Sequence, residues 1–68
     1  MNLDVQQFAE ALNKMIRRDM NNYADDMASN QCKTIEDYRY LCGRCQGLAD
    51  AEIHLKDLAH KLEEGDDE

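Results

Sequence analysis

A chain of 68 residues with a formal net charge of −7 has room for one small domain, and its core is marginal without staples or partners. The charge excludes a direct nucleic-acid binder or a protein held on an anionic membrane, because Arg17 and Arg18 form the only cationic cluster and phosphate neutralisation requires a basic patch. With no proline, no tryptophan and only three glycines, and with Ala, Leu, Glu, Lys, Arg, Gln and Met dominating, the composition excludes a sheet and predicts an all-α fold.

The first helix is predicted over about residues 3–28, starting near Asn2 or Asp4. Asp4 can cap it and Gln7, three residues on, can reach back to complete a capping box. Val5, Phe8, Leu12, Met15, Ile16, Met20, Tyr23 and Met27 then recur with a period near 3.6. Ser29, Asn30 and Gln31 end the pattern, since Ser and Asn side chains compete for backbone hydrogen bonds and favour a turn, placed at 29–33. The second helix is predicted over about 34–63, with the Thr34 hydroxyl accepting the Asp37 amide proton and Asp37 facing the positive end of the helix dipole. Tyr38, Leu41, Cys45, Leu48, Leu55, Ala59 and Leu62 form its stripe, flanked by Ala51 and Leu58. Residues 65–68 read as a solvated acidic tail beyond a hairpin spanning 1–64.

Two helices joined by so short a link pack antiparallel, as a helical hairpin. Each apolar arc is wider than the seam one partner helix covers, so the hairpin is expected to be completed by oligomerisation or by docking on a partner. Gly43 and Gly47 lie inside the second helix, where each costs about 1 kcal/mol relative to alanine. With Ala51 they form a row of small residues that lets another backbone approach closely. Glu52 falls within the stripe. Either it points inward and pairs with Arg17, Arg18, Arg44 or a partner's cation, or else lies at the rim of an interface, or the helix rotates and Ala51 faces inward instead.

Neither catalysis nor a cofactor is expected. No nucleophile elbow, metalloprotease motif or glycine-rich phosphate loop is present, and two helices enclose little pocket. Charged pairs such as Glu52 with Lys56 and Asp57 with Lys61 are spaced to stabilise the helix surface. Cys32, Cys42, Cys45, His54 and His60 include enough soft ligands for zinc, but Cys42 and Cys45 lie within a helix and the two histidines point to different faces, so no metal is expected. Cys45 reads as a core residue and Cys42 as a flanking one. No run of about eighteen apolar residues exists, and the N-terminus lacks the cationic and apolar regions of a signal peptide, so neither a membrane span nor secretion by a signal peptide is expected.

The run Glu36-Asp37-Tyr38-Arg39-Tyr40-Leu41-Cys42-Gly43-Arg44-Cys45-Gln46-Gly47-Leu48 resembles a segment of short acidic helical proteins encoded by tailed bacteriophages near their head and connector genes. The pattern there is Tyr-Arg-x-Leu-x-Gly-x-apolar-x-Gly-Leu followed by an amphipathic helix. The match extends through Ala49, Ala51, Ile53, Leu55 and Leu58, with cysteines at positions 42 and 45 as the departure. The resemblance implies a small virion or head-assembly component, located in the virion or the host cytoplasm, whose partners are copies of itself or larger phage structural proteins. The expected contact surface comprises Tyr38, Leu41, Gly43, Cys45, Gly47, Leu48, Ala51, Leu55 and Leu58. The alternative is a small acidic regulatory protein, a helical dimer that inhibits a host enzyme, although Asp25, Asp26, Asp50, Asp57 and the tail are scattered rather than aligned as DNA mimicry requires.

Overall fold

A computed structural model describes residues 4–29 and 31–64, so Asn2, Asn30 and the 65–68 tail lie outside the described residues. Two helices make up the fold, α1 over Val5–Ala28 and α2 over Ile35–Glu63, packed against each other as an all-α hairpin. Local chemistry sets each boundary. The Gln7 amide donates to Asp4 Oδ1 at 2.7 Å while the Asp4 amide donates to Gln7 Oε1 at 3.3 Å, a reciprocal capping box. At the far end the Ser29 hydroxyl donates to the Asp26 carbonyl at 3.1 Å, using its side chain to close the last turn. The Asp37 amide donates to Thr34 Oγ1 at 3.0 Å, and the Lys33 amide donates to the Asp37 carboxylate at 3.1 Å. Asp37 therefore both joins the α2 cap and places negative charge at the positive end of that helix. Lys61 supplies the complementary charge in its last turn.

The seam between the helices is narrow. Val5, Ala9, Ile16, Met20, Tyr23 and Met27 from α1 meet Leu41, Cys42, Cys45, Leu48, Ala49, Leu55 and Ala59 from α2, all at least half-buried. Of these only Ile16, at 8% exposure, is removed from solvent to the degree of a core residue. The other buried residue among those described is charged: Glu52, at 7% exposure, sits in the middle of the seam. A single layer of two helices explains this economy, since the hairpin measures 49 × 28 × 13 Å and water reaches both broad sides.

Glu52 is tolerated because Arg17 reaches it across the seam, the guanidinium Nε donating to Glu52 Oε2 at 2.7 Å, while Lys56 on the next turn of α2 stands 3.9 Å away. Of the arrangements left open by the pattern, the structure has Glu52 inward and Ala51 exposed. This pair, with the Cys45 thiol at 3.9 Å from the Met20 carbonyl and the Cys42 sulfur at 3.7 Å from the Met27 sulfur, sets the register of one helix against the other. Asp57 and Lys61, spaced for an ion pair, do not form one.

A β-carbon added at Gly43 or Gly47 would meet nothing within 4 Å, so neither glycine is needed for the approach of α1. Gly43→Ala is therefore expected to stabilise the helical state by about 1 kcal/mol through backbone propensity alone. Urea unfolding followed by circular dichroism reads the change. A loss of stability instead would show that the outer surface of α2 is covered in solution.

Candidate functional site

Because the hairpin is one layer thick, its two broad sides can be compared residue by residue. Phe8, Leu12 and Met15 follow one another at four- and three-residue steps along α1, and Leu48, Ala51, Leu55, Leu58 and Leu62 do so along α2, so each set forms a single row. Both rows border the same side. They meet at the open end of the hairpin in a shallow groove of about 280 Å³, lined by Val5, Phe8, Ala9, Leu55, Leu58, Ala59 and Leu62 with Asp4 at its edge. Phe8, Leu12, Met15, Leu58 and Leu62 are all exposed there, an unusual concentration of large apolar side chains for so small a protein.

The opposite side is mainly polar at the open end, with Ile53, 58% exposed, as an apolar residue on the row of Lys56 and His60. Gln6, Glu10, Asn13, Lys56, His60 and Glu63 line a second shallow depression there, around Ala9, Leu55 and Ala59. His60 Nε2 lies 3.1 Å from Glu64 Oε2, and Asn13 has a buried amide oxygen without a hydrogen-bond partner. The two sides thus differ in kind: one is wetted by charges and amides, and the other presents hydrocarbon.

Towards the turn the apolar side changes character. The α1 row continues into Asp19, Asn22 and Asp26, and the α2 row into Arg44. The Arg44 guanidinium lies over the Tyr23 ring at 5.1 Å and the Tyr40 ring at 5.8 Å, and donates to the Tyr40 hydroxyl at 3.0 Å. That hydrogen bond, with the two nearby tyrosines, raises the Arg44 pKa above its ordinary value. Arg44 is thus a fixed cation at the turn end, and it is not the group that neutralises Glu52.

The thiols gather near the turn as well. Partial burial, with Asp37, Asp26 and Cys42 nearby, raises the Cys32 pKa, and a hydrogen bond with Cys42 raises that of Tyr38. Both effects keep these groups protonated and make Cys32 a poor nucleophile. Cys42 and Cys45 are half-buried packing residues, and among the described residues no cluster of three His, Cys, Asp or Glu side chains has the geometry to hold a metal ion.

The nine residues expected to form a contact surface are thus divided. Leu41, Cys45, Leu48 and Leu55 are half-buried at the seam with α1, Ala51 and Leu58 stand exposed on the apolar side, Gly43 and Gly47 face outward, and Tyr38 is exposed near the turn. Sequence reasoning missed the α1 half of the apolar side, Phe8, Leu12 and Met15, together with Leu62. Their signal was present: the row already included more apolar positions than one antiparallel neighbour can cover.

Among the described residues no helix is long and apolar enough to cross a membrane. The chain matches no family model, no curated protein and no solved structure.

Proposed function

We propose that the chain acts without catalysis, as a protein–protein contact module whose working surface is the apolar side of the hairpin. The observation that carries this reading is the alignment of Phe8, Leu12, Met15, Leu58 and Leu62, exposed together on one side while the other side is mainly polar, with Ile53 an exposed apolar side chain along α2. Hydrocarbon held in water by a regular scaffold is stabilised by whatever covers it, at roughly 25 cal/mol per Å² removed from solvent. A binding reading also accounts for the rest of the molecule: outward charges keep the uncomplexed chain soluble, and the seam holds only enough to set the register of two helices.

The biological setting comes from the tailed-phage segment that Glu36 to Leu58 resembles. We place the chain among small virion or head-assembly components, present in several copies around a symmetric structure, in the virion or in the cytoplasm of the infected host. Its partners are proteins, itself included.

The test is made in the virus that encodes the chain. Purified particles and assembly intermediates are assayed by quantitative mass spectrometry for the wild-type chain and for the Phe8→Glu/Leu58→Glu variant. The expected result is several wild-type copies per particle or intermediate and at least a tenfold loss for the variant. Absence of the wild-type chain at every stage of assembly would contradict the virion role, and equal incorporation of the variant would contradict the surface.

A further inference from the structure

We infer that the apolar side is covered by a second copy of this chain, two hairpins meeting face to face with both turns at the same end, so that α1 of each lies over α2 of the other in a two-fold four-helix bundle. The inference rests on the contact reading above and names the occupant of that surface.

Area and shape argue for a second layer. A compact monomer of 7.9 kDa exposes about 4,400 Å², whereas this chain exposes 5494 Å². The excess, about 1,100 Å², is comparable to the roughly 800 Å² that each partner gives up in a stable interface. Its radius of gyration is 15.6 Å, against about 11 Å for a compact chain of 68 residues. A slab 13 Å thick becomes a bundle of ordinary proportions when one further layer is added.

The distribution of charge selects the orientation. On the apolar side hydrocarbon occupies the open end and charge the turn end, so a fully overlapped pair with opposed turns would set Phe8 and Leu62 against charged residues. With turns together, Phe8, Leu12 and Met15 of one copy lie over Leu62, Leu58 and Leu55 of the other. Near the turn the same arrangement brings Asp26 of each copy towards Arg44 of the other. Their levels agree because Arg44 sits over Tyr23, one helical turn from Asp26. Within one hairpin neither is used in an ion pair: among the described residues Arg44 has no carboxylate within 4 Å, and Asp26 no cation. Two pairs of opposite charge would close one end of the bundle and leave its apolar end in register.

The test is solution mass by light scattering across dilution, on the wild type, Arg44→Glu and Arg44→Glu/Asp26→Arg, with circular dichroism on each sample. The expected results are twice the 7.9 kDa chain mass for the wild type, at least a tenfold weaker dimer for the single variant, and partial recovery for the charge-swapped double variant. A helical wild-type monomer at 100 µM overturns the second copy, while the particle assay separately decides whether the surface binds another protein. A wild-type dimer that Arg44→Glu does not weaken, in a variant still helical, overturns the turns-together arrangement. If Arg44→Glu costs helicity, Asp26→Arg alone decides: an unweakened dimer overturns that arrangement, and a weakened one supports it.

Discussion

Ile16→Ala is expected to destabilise the protein by about 2–3 kcal/mol, the lower part of the range for removing a buried branched side chain, because a single-layer hairpin lets water and neighbours partly fill the gap. Ile16 is the only hydrophobic residue among those described that is buried to 8% exposure. A domain of this size holds about 3–10 kcal/mol in total, so the substitution removes a large share. The melting midpoint should fall by roughly 10–20 °C at fixed protein concentration. Thermal unfolding by circular dichroism measures it directly. A fall of less than about 3 °C would mean that the stabilising core lies elsewhere, in surfaces covered only on assembly.

The second large effect concerns the pair between Arg17 and Glu52. Arg17→Met leaves the Glu52 carboxylate buried in the seam with only Lys56 at 3.9 Å, and should cost about 2 kcal/mol. Glu52→Leu differs in sign. The Arg17 side chain is 56% exposed and can return to water, while leucine adds hydrocarbon beside Ile16, so the change should be neutral or stabilising by about 1 kcal/mol. The double variant Arg17→Met/Glu52→Leu should be at least as stable as the wild type, giving a coupling energy of about 1–2 kcal/mol in a double-mutant cycle read by urea unfolding. Additive effects would show that the two side chains do not pair in solution. An isolated polar pair in an otherwise apolar seam also sets helix register, as buried polar residues do in coiled coils.

The helix ends were the most legible part of the sequence, because caps are local. Asp4 with Gln7 and Thr34 with Asp37 act over three residues, and each makes the hydrogen bond its spacing implies. The hairpin followed from the short turn. The inward placement of Glu52 was not decidable from periodicity, which defines an arc about 100° wide but not the part of it that meets the neighbouring helix. What decides it is Arg17, 35 residues away in the chain, and separations of that length leave no pattern in one sequence. The exposed apolar side was half legible for the same reason. The α2 stripe was recognised, but its flank at Ala51 and Leu58 faces solvent and its centre meets α1. Phe8, Leu12 and Met15 look like core in a list of apolar positions, and only the geometry of a single-layer hairpin turns them outward. The glycines illustrate a different limit. Their cost within a helix was evident from sequence, yet α1 passes on the far side of α2 from both, so any close approach they serve must be made by another molecule.

The central claim is that one hairpin is an incomplete fold whose apolar side is closed by association. The most direct measurement is the concentration dependence of thermal unfolding, followed by circular dichroism over a hundredfold range of the purified chain. Closure by copies of the chain predicts a melting midpoint that climbs steadily with concentration, because only the associated form has its apolar side covered. A well-formed helical state with a midpoint independent of concentration, and monomeric throughout, would contradict closure by copies of the chain.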